Sequence, residues 1–151
     1  MERESYMQQA LTLAREACDA GEVPVGCVIT GPEGQIVGRG RNRRQERRDA
    51  TSHAEMEAIR EACAALGDWR LGDCGLYVTL EPCPMCAGAI LNARLKWVCY
   101  GARDEKTGSC GSVLNLFEEN YGYRPAIYGG ILEAECLERL QAFFRGLRET
   151  D

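Results

Sequence analysis

Residues 75–101 read GLYVTLEPCPMCAGAILNARLKWVCYG: a β-rich run, a short apolar run opened by proline, and a second β-rich run, with only a few residues between them. Strand, helix and strand joined this closely pack as a right-handed parallel crossover, because a right-twisted strand returns to its own sheet through a helix with that hand. The consequence reaches the whole chain. A parallel strand pair is buried on both faces, so further helices have to cover the sheet. Pro84 suits the opening of the helix, where its missing N–H leaves no bond unmade.

The rest of the chain supplies those covers. Ser5 and Gln8 have capping-box spacing, and Met7, Leu11, Ala14 and Cys18 recur at helical period, which predicts a first helix running to about residue 20 and stopped by Gly21. VGCVIT and QIVGRG flank the turn-forming GPEG and predict a β-hairpin. In SHAEMEAIREACAAL, Ser52 is the expected N-cap with Glu55 three residues on, and Met56, Ile59, Cys63 and Leu66 form the apolar stripe of a helix ended by Gly67. RPAIYGGI predicts a fifth strand, after the glycine-rich KTGSCGS and a short apolar turn, VLNLF. Leu137, Leu140, Phe144 and Leu147 mark a terminal helix that begins at Glu133. The order αββαβαβ(α)βα is that of an α/β domain, with a five-stranded mixed sheet inside three α/β/α layers. No repeat or linker interrupts the 151 residues, so one domain spanning 1–151 is expected.

No apolar run approaches the ~20 residues of a membrane span, and the opening MERESYMQQA lacks the apolar core of a secretory signal. A cytoplasmic protein with no membrane partner is the expectation. Its nine cysteines are then expected as reduced thiols, with Cys18, Cys63, Cys99 and Cys136 packed in apolar patterns. The net charge of −5 excludes a uniformly basic surface, yet RGRNRRQERRD at residues 39–49 holds six of the eighteen cationic side chains, a local patch able to attract phosphates.

His53 is the only histidine, and Glu55 follows it after one residue at the opening of a predicted helix. Cys83 and Cys86 sit three apart at the opening of another, and so on one face. The positive end of a helix dipole favours thiolate, the form that ligates metal. One imidazole and two thiolates give zinc three ligands and leave the fourth tetrahedral position to water, as in catalytic sites. Zinc lowers the pKa of such a water to about 7, and Glu55 is placed to carry its protons. Taken singly, S-x-x-E is a capping pattern and C-x-x-C describes a redox pair as well. HAE followed by PCPMC, with Cys83 thirty residues after His53, makes the H-x-E…P-C-x-x-C signature of zinc-dependent nucleobase deaminases.

EVPVG (22–26), GRN (40–42), LYVTLEPCPMCAGAI, GARDEKTGSCGS and FFRGLR further resemble segments of the bacterial tRNA-specific adenosine deaminase family, of the cytidine deaminase-like superfamily. Nearly the whole chain takes part. The resemblance implies one zinc ion per subunit on His53, Cys83 and Cys86, with Glu55 as the catalytic proton shuttle. It implies substrate contacts from Asn42, Val25, Pro82 and the backbone at Ala54. The implied reaction is hydrolytic deamination of adenosine to inosine at the wobble position of tRNA, by zinc-activated hydroxide, with the anticodon loop as partner and a homodimer as assembly. A base must leave its stack to enter such a pocket, which a loop permits at modest cost.

In that light Arg41, Arg43, Arg44, Arg47 and Arg48 are candidate RNA contacts beside the pocket mouth, with Arg145 and Arg148 on the terminal helix extending them. Tyr121 and Tyr123 are candidates for base stacking. Cys27 stands where many relatives carry alanine. Two other readings stay open. One is a zinc deaminase of a free base, nucleoside or nucleotide of guanine, cytosine or dCMP type, which shares the metal chemistry and suits the acidic net charge. The other is a noncatalytic zinc-stabilised RNA-binding module, which needs a fourth ligand such as Cys110 and has no use for Glu55.

Overall fold

The computed structural model describes residues 2–150, and the side chains of residues 2–147. Five strands, β1 (Gly26–Thr30), β2 (Ile36–Arg41), β3 (Gly75–Leu80), β4 (Trp97–Ala102) and β5 (Ala126–Tyr128), form one sheet in the order β2-β1-β3-β4-β5. β1 runs antiparallel to both β2 and β3, whereas β3, β4 and β5 are parallel. The hairpin and the crossover are therefore both present, the latter with Leu76 beside Val98 and Tyr77 beside Cys99.

Helices cover both faces. α1 (Glu2–Asp19) and α5 (Glu133–Thr150) pack on one side of the sheet, and α3 (Ala54–Leu66) lies on the other in contact with α4 (Pro84–Ala93). Every residue of β1 is buried, as are Gly75 to Thr79 of β3, which is why these strands read as continuous runs and not as alternating ones. Val28, Ile29, Leu76, Val78, Val98 and Cys99 form the centre of the core.

Glycines set how closely the layers approach. A Cβ on Gly26 would lie 2.0 Å from the Ala10 carbonyl oxygen of α1. On the other face, Cβ atoms on Gly38 and Gly40 would lie 2.4 Å from Ala58 O and 2.2 Å from Ala54 O. The inner face of α3 is correspondingly small, with Ala54, Ala58 and Ala62 fully buried at intervals of one turn. Bare backbone against alanine seats α3 tightly on β2, and this fixes where its N-terminus emerges.

Several local expectations are corrected. α1 already begins at Glu2, so Ser5 lies inside the helix and does not cap it. His53, not Ser52, is the N-cap of α3, and no side chain caps the helix. Ser52 is turned inward because its peptide is committed elsewhere: its N–H donates to Asp49 O (3.1 Å) and its carbonyl accepts from Arg43 N–H (2.9 Å). Its hydroxyl is buried without a partner. The arginine stretch carries a single helical turn, α2 (Arg44–Arg47), with Arg48 left-handed after it at φ 51°. Only part of the terminal stripe is covered: Leu140 and Cys136 are buried, whereas Leu137, Phe144 and Leu147 are exposed. All nine cysteines are free thiols; Cys99 and Cys136 are buried, and Cys18 and Cys63 partly so. Among the described residues no helix is long and apolar enough to cross a membrane.

Gly40→Ala drives a methyl into the α3 backbone, and overpacking of this kind costs about 1–3 kcal/mol. Gly88, inside α4, has nothing within 4 Å of its would-be Cβ, and alanine there gains about 0.5–1 kcal/mol of helix propensity. Urea denaturation is expected to show the midpoint falling for Gly40→Ala and rising for Gly88→Ala.

Candidate metal centre and its pocket

The crossover delivers Cys83 to the end of β3 as the N-cap of α4, with Cys86 one turn in. The seating of α3 delivers His53 to the N-terminus of the neighbouring helix. Here His53 Nδ1 is 3.6 Å from Cys83 Sγ and 3.5 Å from Cys86 Sγ. Zinc bonds of about 2.0–2.1 Å to nitrogen and about 2.3 Å to sulfur, at a tetrahedral angle, place N and S about 3.5–3.6 Å apart. The donor set therefore fits a tetrahedral cation in both chemistry and spacing. Among the described residues these three form the only such cluster of histidine, cysteine or acidic ligands. Cys110, the candidate fourth ligand of a closed site, is buried but does not belong to it.

The two sulfurs differ in charge. The Cys86 thiol donates to Cys83, and this bond, assisted by His53, pulls the Cys83 thiol down to about 4 against its burial. The same bond, together with burial, holds the Cys86 proton firmly in place. The thiolate in turn raises the pKa of the His53 imidazole. A metal cation changes this balance, since a coordinating thiol gives up its proton outright.

Glu55 lies in the first turn of α3 and is only 4% exposed. Burial pushes its carboxyl up to about 7, and the Cys83 thiolate adds to the rise. A carboxyl with such a pKa passes protons in either direction at neutral pH, as a general acid and base must. Cys27, fully buried in β1, is raised well above the ordinary thiol range by burial and by the Glu55 charge, so it remains a neutral packing group.

His53, Glu55 and Cys83 open into a pocket of about 150 Å³, whose lining includes Val25, Asn42 and Ala54. Three of the four expected substrate contacts thus come together. Pro82 is buried and is absent from the lining; its carbonyl accepts Ser109 N–H at 2.9 Å. Asn42 is held from both sides, its N–H on Val25 O (3.2 Å) and its Oδ1 accepting Arg44 N–H (3.2 Å). Val23, Leu80, Glu81, Asp104 and Thr107 complete the walls. Local spacing does not single them out, although Glu81 and Asp104 are acids of LYVTLEPCPMCAGAI and GARDEKTGSCGS.

The arginine stretch is less available than its composition suggests. Arg41 and Arg43 pair with Glu46 at 2.9 and 2.6 Å, and Arg43 and Arg47 reach Glu57 at 3.4 and 3.1 Å. Arg44 lines the pocket, and Arg48 is exposed. Arg145 pairs with Glu138 at 3.1 Å, and the side chain of Arg148 lies outside the described residues. The Tyr123 hydroxyl is shared between the carbonyls of Arg94 and Leu95, which commits it to the fold, whereas Tyr121 is exposed.

Comparison with known proteins agrees with this architecture. The MafB19-like deaminase family model matches residues 1–148. The tRNA-specific adenosine deaminase of Bacillus subtilis is 47% identical over 147 residues, covering 97% of this chain and 91% of that protein. A tRNA(Ile)-lysidine synthase of Deinococcus radiodurans is 48% identical over 142 residues, 94% of this chain, but the chain spans only 24% of that relative's length. A structure solved in a study of A-to-I editing by tRNA:A34 deaminases at the wobble position of transfer RNA superposes with a TM-score of 0.86 at 44% identity, covering 90% of this chain and 99% of that one. The fold, the ligand cluster and these relatives agree: the chain belongs to the MafB19-like deaminase family and stands with the tRNA-specific adenosine deaminases.

Proposed function

We propose that this protein deaminates adenosine to inosine at the wobble position of tRNA, acting on the anticodon loop in the cytoplasm. The observation that carries the reading is a buried carboxylate, Glu55, outside a three-residue ligand set and in the same pocket. A structural metal site has no use for such a group. The relatives supply the substrate class: their names specify tRNA and adenosine.

His53, Cys83 and Cys86 would hold one zinc ion per subunit. Bound there, zinc supplies Lewis acidity, lowering the pKa of a water molecule to about 7. Glu55 accepts a proton from the attacking water and delivers it to ring nitrogen N1 as oxygen adds to C6. It then moves the second proton to the exocyclic amine, which leaves as ammonia, so adenosine and water become inosine and ammonia. Asn42 is locked on the rim with its amide NH2 available as a donor to the base, and the Ala54 backbone and Val25 shape the floor.

Arg44 and Arg48, with exposed Arg39, stand outside these ion pairs and are left to meet phosphate, and the paired arginines set the shape of α2. Kinship implies a homodimer, for which exposed Val113 and Leu114 offer apolar surface.

Glu55→Ala is expected to keep its zinc and fold while inosine formation falls by about 10²–10⁴-fold, read by nucleoside analysis beside metal content. Unchanged turnover would remove Glu55 from the proton path. Cys86→Ala, by contrast, is expected to lose the metal as well. Turnover of an anticodon stem-loop carrying a wobble adenosine, with none of free adenosine, guanine, cytosine or dCMP, is the expected substrate profile; turnover of the free compounds alone would overturn the RNA assignment.

A further inference from the structure

Glu81 lines the pocket two residues before Cys83, is 2% exposed, and has no part in the chemistry described above. Its carboxylate faces the segment that leaves β4 and forms one wall. Oε1 accepts Asp104 N–H at 3.1 Å and the Ser112 hydroxyl; Oε2 accepts Cys110 N–H at 3.0 Å and Ser112 N–H at 3.1 Å. A carboxylate offers about four lone-pair sites, and here all are taken, two on each oxygen. No acceptor remains for a metal, a proton in transit or the substrate. No salt bridge neutralises Glu81 among the described residues, so three backbone amides and one hydroxyl carry its charge into the interior.

The segment it gathers is otherwise irregular, tied to the body by Ser109 N–H on Pro82 O (2.9 Å) and closed on itself by Gly108 N–H on Asp104 O (2.9 Å) and Leu116 N–H on Ser109 O (2.9 Å). Residues 103–125 hold one turn of 3-10 helix, Leu116–Glu118, and an isolated bridge between Cys110 and Asn115. Gly108 lets the segment fold over the carboxylate: a Cβ there would lie 2.4 Å from Glu81 Cδ and 2.5 Å from Asp104 O. Of the two residues this segment places in the pocket lining, Asp104 is gripped by Glu81 directly and Thr107 lies between that point and the next, at Cys110. Asp104 is itself ordered by this arrangement, its carboxylate accepting the N–H groups of Lys106 and Thr107 and the Thr107 hydroxyl.

We infer that Glu81 is a positioning residue for substrate binding: it holds the 104–112 wall, with Asp104 and Thr107, in the shape that receives the flipped nucleotide. This rests on reading the pocket as the site of RNA deamination. The role calls for a carboxylate. In a glutamine of the same size, the NH2 group meets a backbone N–H in either orientation, that of Asp104 in one and those of Cys110 and Ser112 in the other. Aspartate keeps both acceptors but is one methylene short.

The test compares wild type, Glu81→Gln and Glu81→Asp as zinc-loaded proteins, with an anticodon stem-loop RNA as substrate and amide hydrogen exchange as a second readout. In Glu81→Gln, KM is expected to rise by about tenfold or more with kcat within about threefold, because the loss falls on binding and not on the chemical step. Metal content should be unchanged. Exchange should accelerate in peptides covering 103–113 and stay at wild-type rates in β3 and β4, with Glu81→Asp intermediate in KM. Wild-type KM and exchange in the glutamine variant would overturn the inference. So would a fall in kcat accompanied by loss of zinc, which would assign Glu81 to the metal centre. If the glutamine variant does not fold, Ser112→Ala decides: it removes a single hydroxyl bond and should raise KM in the same direction by less, and an unchanged KM refutes the proposal. A wild-type enzyme that makes no inosine from RNA would instead defeat the functional reading, while the exchange data still report whether Glu81 holds the wall.

Discussion

His53 Nδ1 comes within 3.6 Å of two sulfurs because two helices, from separate parts of the chain, begin at the same place above the sheet. α4 begins there because β3 hands directly into it. α3 begins there because Gly38 and Gly40 let an alanine-faced helix settle on β2. Helix N-termini stabilise negative charge, so the same geometry that gathers the ligands also favours thiolate. The rest of the pocket is arranged around this apposition.

Two further carboxylates show how irregular segments are given fixed shape beside it. On one side Glu22, 2% exposed, accepts the N–H groups of Gln45 and Glu46 at 3.2 and 2.7 Å, anchoring the turn that follows Asn42. On the other, Glu81 gathers the wall after β4. Both use charge-assisted bonds to backbone amides, which are stronger than neutral ones and demand the partner's position. Glu55 is put to another use: burial raises its pKa to about 7, which suits a proton carrier, whereas Glu22 and Glu81 hold backbone amides. Of three buried acids near one pocket, two thus brace irregular backbone and the third keeps a carboxyl with a raised pKa.

The charge pattern changes meaning in three dimensions. Six arginines within residues 39–49 look like a phosphate-binding tract in one dimension. Folded, Glu46 and Glu57 take up Arg41, Arg43 and Arg47, and the result is a braced turn with Arg44 directed to the pocket. Glu57 belongs to α3, so its pairing with this turn ties the arginine segment to the helix that carries His53.

Local spacing and the chemistry of residue types were enough to read the strand–helix–strand crossover and the hairpin, and to single out His53, Glu55, Cys83 and Cys86, which the fold brings to one place. They misplaced the caps of α1 and α3, since capping depends on where the neighbouring peptide groups are already committed, as Ser52 shows. It took the folded chain to show that Glu81 saturates its acceptors on a segment 23 to 31 residues away, that Pro82 stands back from the pocket, and that three of the six arginines in 39–49 are taken up by Glu46 and Glu57. These are pairings between side chains and distant backbone. A linear pattern lists the possible partners, but the close approach of glycine-bearing strands and helices selects among them.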